Sequence, residues 1–273
     1  MRQFDGYMAN LWHWGRPARA LRPRGWPGPP PRARTPELLD GGGHDPALLA
    51  ENLADMGRAN RWLGGAWLVS RLVARLAGGL PPGTPLVVLD VASGGADIPR
   101  ALARRFARRS RPALVVASDA SPTVARIGAA RGAVAQRGAR RKAGTEQAPP
   151  PPYIVADARA LPVADGGVDV AVCSFALHHF DEAEAVGVLR ELRRVARRGV
   201  VLDDLVRSRA GYAGAWLFAR LTSRNPLTRH DGPLSARRAY TRAELRALLQ
   251  EAGYERLIWR DLGYRVVLAS EVR

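Results

Sequence analysis

The chain has 273 residues, is 47% apolar and carries a formal net charge of +17. That length suits one α/β domain with additions, and no run of about 18 uncharged apolar residues is present that would read as a membrane span. Lysine occurs once, at Lys142, so the positive charge is almost all arginine, scattered over expected helix surfaces and the N-terminal arm. It reads as solvated surface, with a polyanion site as the alternative. The single cysteine, Cys173, excludes an intramolecular disulfide and a multi-cysteine zinc site, and its apolar run VDVAVCSF places it in a core strand. With no continuous apolar leader near Met1, a cytoplasmic location is expected.

Residues 1–36 mix prolines and arginines with Trp12, Trp14 and Trp26, a composition that reads as a disordered basic arm. Asp45-Pro46 then opens a helix, and a second helix over Ala66 to Leu76 completes an N-terminal helical cap spanning 37–80. From 81 to 273 strands and helices alternate, the mark of a parallel sheet covered on both faces. The strands expected are Leu86 to Val91, Leu114 to Ser118, Tyr153 to Ala156, Val168 to Ser174 and Val200 to Asp204. Helices are expected over Ile98 to Arg109, Pro122 to Ala135 and Glu182 to Ala196. The charged, proline-rich stretch 137–152 reads as a flexible loop. Residues 205–240 read as a lid or substrate segment, made of the apolar helix YAGAWLFARL and a loop SRNPLTRHDGPLS. The capping box TRAE starts a last helix at Thr241, and strands near Tyr254 to Arg260 and Tyr264 to Ala269 close the sheet. The fold class expected is α/β, a doubly wound, seven-stranded Rossmann-like sheet.

The chemistry concentrates in VVLDVASGGADIPRAL, where a strand ends at Asp90, a loop of small residues turns, and a helix begins. In a doubly wound sheet such a loop lies at the ligand crevice. A dinucleotide fingerprint would require glycines where the chain has Ala92, Gly94 and Asp97, and Asp97 would repel a pyrophosphate.

The segment resembles the first motif of class I S-adenosylmethionine (SAM) dependent methyltransferases, with alanines at 92 and 96 where that family usually has glycines. ALVVASDAS, YIVADARALPVADGGVDV and VDVAVCSFALHHFDE follow in the family's order, and the loop TRHDGPLS is similar to a segment of bacterial quinone and phenolic-polyketide methyltransferases. The resemblance implies SAM as cofactor, held by Asp90, Ala92, Ser93, Gly94, Asp97, Asp119, Ala120, Asp157, Ala158 and Ser174, with Asp119 on the ribose and Asp157 and Ala158 at the adenine edge. It implies transfer of a methyl group to a small-molecule acceptor, phenolic, quinone-like or polyketide. His179, and His230 beside Asp231, are the candidate bases, because an imidazole titrates near neutrality. Tyr212, Trp216, Leu217, Phe218 and Leu221 either line an acceptor pocket or pack on the core. His178, His179, Asp181 and Glu182 show no metal-ligand spacing, so no metal is expected. No Asn/Asp-Pro-Pro-aromatic motif follows the fourth strand, which argues against base methylation. An RNA-directed or RNA-binding SAM-fold protein is the alternative function, and a non-catalytic partner protein the third. Oligomeric state is left open.

Overall fold

Side chains of the central strands alternate between two cores, which is why the sheet is buried on both faces. In β1 (Leu86–Val91) Leu89 and Val91 enter one apolar cluster, while Leu86 and Val88 enter the other. β4 (Val168–Ser174), β5 (Ala196–Leu205) and β7 (Arg265–Glu271) divide in the same way, with Ala171, Leu202 and Leu268 on the first side and Val172, Val201 and Val267 on the second. In this computed structural model, which describes residues 28–81, 83–143 and 149–272, seven strands form one sheet in the order β3-β2-β1-β4-β5-β7-β6. β2 is Ala113–Asp119, β3 is Tyr153–Val155 and β6 is Leu257–Asp261. The first five strands are parallel, and β7 runs antiparallel to both β5 and β6. The chain leaves β1 toward β2 on one side and returns to β4 on the other, so the switch point lies between β1 and β4.

Helices α1 (Pro46–Trp62) and α2 (Gly65–Leu76) form the N-terminal cap, and Asp45 caps α1 by accepting from Ala47 N at 2.9 Å. α3 (Asp97–Ala107) follows β1, α4 (Pro122–Ala143) follows β2, and α5 (Glu182–Val195) lies between β4 and β5. α6 (Arg209–Thr222), α7 (Pro226–Arg238) and α8 (Arg242–Glu251) precede the closing strands, with the Thr241 capping box intact.

Three expectations need correction. The loop assigned to SRNPLTRHDGPLS is mostly helix α7: Asn225 accepts from the Leu227 and Thr228 amides, and Pro226 occupies the first turn, where a missing N–H costs nothing. The stretch assigned to a loop from 137 begins as helix, because α4 runs on to Ala143. The arm expected to be disordered over 1–36 is ordered where it is described. Its part over 1–27, with Trp12, Trp14 and Trp26, lies outside the described residues, but residues 28–36 pack on the domain. Arg32 donates to Arg238 O at 2.6 Å and Phe180 O at 2.7 Å, and its guanidinium lies 3.9 Å from the Tyr240 ring centroid. Ala33 N donates to Arg237 O at 3.0 Å, and Arg238 reaches Thr35 O at 2.9 Å. A chain starting at residue 37 is therefore expected to melt lower than one starting at residue 28; equal melting of the two would show that this strap carries no stability.

Candidate active site

The β1–α3 turn is held open by its own polar groups. Ser93 donates its hydroxyl to Asp90 Oδ2 at 2.6 Å, Ser93 N donates to Ser118 O at 2.7 Å, and Gly94 N donates to Asp119 Oδ2 at 3.1 Å. Tyr153 Oη and Arg100 hold the carbonyls of Gly94 and Gly95 at 2.9 and 2.6 Å. The turn demands left-handed backbone at three places: Ala92, Gly94 and Ala96 have φ of 56°, 52° and 55°. The two alanines each carry a strain of about 1–2 kcal/mol there, held in place by the bonds around them.

Asp90, Ala92, Ser93, Gly94, Asp97 and Ser174 all line one cleft of about 630 Å³. Asp90 is 1% exposed, and its Oδ1, like Ser174 Oγ, is a buried polar atom with no hydrogen-bond partner. Burial, reinforced by the charges of Asp97 and Asp119 and only partly opposed by the Ser93 bond, pushes the Asp90 carboxyl up to about 8. Burial also raises Asp119, against the Ser121 and Gly94 amides that favour its charged form. Asp119, Ala120, Asp157 and Ala158 do not line the cleft. Asp157 turns instead to Arg159, which donates to it at 2.7 Å, and Ala158 is buried in the core.

The far wall of the cleft begins where β4 ends. A turn over Leu177–His179 presents two histidines, whose rings stack 4.5 Å apart. His178 is 2% exposed, and its Nδ1 lies 2.7 Å from Asp204 Oδ1 at the end of β5. His179 Nδ1 lies 3.0 Å from Asp40 Oδ1, and its Nε2 lies 3.8 Å from Glu37 Oε2. Burial pulls His179 toward neutrality, but the Asp40 hydrogen bond and the Glu37 and Asp40 charges outweigh it and raise its pKa. Glu37, 4% exposed, accepts from Ser235 at 2.7 Å. Glu37, His178 and His179 each offer a ligand atom within 4.8 Å of the others.

His230 is half exposed and absent from the cleft lining, its Nδ1 turned 2.7 Å from Asp231. Asp231 does line the cleft, and it accepts the Leu38 and Leu39 amides at 2.9 and 3.0 Å, capping the turn that carries Asp40. The sequence reading missed Glu37 and Asp40, which face His179, Asp204, which faces His178, and a polar stripe on α1, Asn52, Asp55 and Asn60, whose helical spacing was a usable signal. Asn52 and Asp55 meet Thr228 of α7 at 3.0 and 2.8 Å, and Asn60 donates to Asp97 at 2.7 Å.

Residues 89–202 match the methyltransferase domain family. That stretch is a SAM-dependent methyltransferase domain. No curated protein matches the chain. Among solved structures, a SAM-dependent methyltransferase from Aquifex aeolicus is similar at 19% identity and a TM-score of 0.52, over 84% of this chain and 100% of that one. An O-methyltransferase family protein from Burkholderia thailandensis is similar at 14% identity and a TM-score of 0.54, over 80% of this chain and 57% of that one. The CMeT domain of the citrinin polyketide synthase is similar at 14% identity and a TM-score of 0.52, over 75% of this chain and 52% of that one. At such identities these likenesses speak for the fold. Among the described residues, no helix is long and apolar enough to cross a membrane.

The methyltransferase's turn fits its cofactor by chemistry. SAM carries a sulfonium and an ammonium, and the cleft offers the clustered carboxylates of Asp90 and Asp97 together with two unpartnered polar atoms, Asp90 Oδ1 and Ser174 Oγ. A phosphate would meet those acids with like charge.

Proposed function

We propose that this methyltransferase acts on a small molecule with an apolar body, phenolic, quinone-like or polyketide, and methylates an oxygen presented beside His179. What supports this reading is one continuous cleft that joins the acidic turn to the histidine pair and is walled by the apolar residues Leu39, Met56, Leu63 and Phe218. On this reading Asp90, Ala92, Ser93, Gly94, Asp97 and Ser174 hold the amino-acid end of the cofactor. Asp119 and Ala120 take the ribose, and Ala158 frames the adenine, while Asp157, engaged by Arg159, orders that loop. Bound SAM supplies an electrophilic methyl group. Asp40 fixes the His179 tautomer with the proton on Nδ1, leaving Nε2 to accept the acceptor's hydroxyl proton. Asp231 positions the Asp40 turn, and His230 lies outside the reaction. Mass spectrometry of a phenol and quinone panel incubated with labelled SAM tests the reading; methylation of RNA in place of every small molecule would favour the alternative.

Asp119→Ala should weaken SAM binding by about 1–3 kcal/mol, the scale of charged hydrogen bonds lost from a site. Unchanged affinity in calorimetry would remove Asp119 from the ribose. His179→Ala should lower turnover by about 10² or more and abolish the rise of rate with pH, which lies above the ordinary imidazole range because His179's pKa is raised. His230→Ala should keep wild-type turnover, and a chelator should change neither enzyme. Activity lost to chelation and restored by a divalent cation would turn Glu37, His178 and His179 from base machinery into metal ligands.

A further inference from the structure

α6 is an apolar helix with almost nothing packed on its outer face. Of its fourteen residues, RAGYAGAWLFARLT, only Ala219 is buried. One side, with Ala215 and Phe218, lines the cleft. The other leaves Trp216 44%, Leu217 51% and Leu221 75% exposed, and these three belong neither to the lining of the cleft nor to the buried core clusters. The apolar surface continues beyond the helix. Trp62 at the end of α1, 57% exposed, meets Phe218 edge-on at 6.2 Å, and Trp67 at the start of α2 is 46% exposed. Exposed tryptophans and leucines grouped around a cleft mouth mark an interaction surface, since isolated apolar residues are ordinary but a contiguous patch is not.

The charge on the two helices that carry most of this patch has one sign, with the exposed Glu51 of α1 only at its far edge, 3.5 Å from Asn225. Neither α2 nor α6 contains an acid, and Arg61, Arg209, Arg220 and Arg224 are exposed at its edges. Arg71 lies over the Trp67 ring at 4.9 Å, and Arg220 over the Trp216 ring at 5.3 Å. Tryptophan and leucine flanked by arginine is the composition of a helix lying in a lipid interface, its apolar side among acyl chains and its cations among headgroups. A second copy of the chain is disfavoured as occupant, because two-fold pairing would set these four exposed arginines against themselves with Glu51 alone at the edge to offset them. A nucleic acid would meet the arginines but leave Leu217 and Leu221 in water.

We propose that α6, with Trp62 and Trp67, is the face by which this methyltransferase docks on an anionic lipid bilayer, its cleft mouth turned to the membrane. Apolar acceptors then enter from the lipid without crossing water. The docking face stands on the exposed residues alone; only the delivery of acceptor rests on the function proposed above.

The test is sedimentation of the full chain with vesicles of phosphatidylcholine, alone or mixed in equal parts with phosphatidylglycerol. The protein should sediment with the mixed vesicles and far less with phosphatidylcholine alone. A Trp216→Ser, Leu217→Ser, Leu221→Ser triple variant keeps every charge and touches no cleft residue. It should lose vesicle partition by about tenfold or more while SAM affinity and circular dichroism stay at wild-type values. Wild-type protein remaining in the supernatant with both vesicles overturns the proposal, as does undiminished binding of the triple variant, which would show attraction by net charge alone. A dimer in analytical ultracentrifugation, or an RNA complex, that the triple variant abolishes without any vesicle binding would assign the face to that occupant instead.

Discussion

Arg265→Met is expected to destabilise the protein by about 3–5 kcal/mol, the cost of leaving one member of a buried ion pair alone. Arg265 of β7 and Asp203 of β5 are 0% and 1% exposed. Nε donates to Asp203 Oδ1 at 2.9 Å, and Nη2 makes a second bond to Oδ2. Burial raises the Asp203 carboxyl to about 6 even with Arg265 holding it charged, so without the guanidinium its charge would have no counterpart. The pair also carries shape. A Cβ on Gly65 would fall 2.5 Å from Arg265 Nη2, so the start of α2 is seated against the guanidinium. Phe175, a cleft residue with φ of 53°, lies 4.8 Å from Arg265 Cζ and donates its amide to Asp203 O at 2.7 Å. Chemical denaturation of Arg265→Met measures the cost, and an added Asp203→Val should restore most of it, because it removes the orphaned charge. A single variant as stable as wild type would show that water reaches the pair.

The sheet was legible because its strands announce both cores at once: LVVL and VAVC are continuous apolar runs, and each is followed by a polar residue at the crevice, Asp90 and Ser174. The acidic turn was legible too, down to Ala92 and Ala96 standing where glycine is usual. What the sequence hid is contact over long separations. Nothing in PELLDGG marks Glu37 as the partner of two histidines on the far side of the chain, since the approach exists only once Asp231 has capped that turn. Composition also misjudged residues 28–36. It counts apolar side chains, whereas Arg32 is held by carbonyls left over at the end of α7 and after the His178–His179 turn, groups a helix terminus always leaves unsatisfied. In α7, Gly232 and Pro233 read as loop punctuation, but the Asn225 cap and burial of Leu227, Asp231 and Pro233 against the strap and α1 override them.

Asp90→Asn is expected to separate stability from cofactor binding, raising the first and lowering the second. The Asp90 carboxyl is pushed up to about 8 in the folded protein, from an ordinary value of 3.8. A folded-state value above the unfolded one means that the native state holds a proton the unfolded chain has released. The carboxyl therefore costs stability increasingly as pH rises from about 4 to about 8, at up to about 1.4 kcal/mol per pH unit. Asn keeps the shape and can still accept the Ser93 hydroxyl bond but cannot ionise, so the unliganded variant should melt above wild type at pH 7 and the gap should close toward pH 4. Cofactor binding has the opposite demand. The cations of SAM favour the ionised carboxylate, so binding to the wild type must expel the Asp90 proton, and affinity should climb by up to about tenfold per unit from pH 5 to 7. In Asp90→Asn an amide N–H faces the cleft in place of Oδ1, so affinity should be lower at pH 7 and its pH dependence flatter. Calorimetry in buffers of different ionisation enthalpy reads the released proton directly. Equal proton release by wild type and variant would show that Asp90 does not meet the cofactor's charge, whatever the variant's melting temperature.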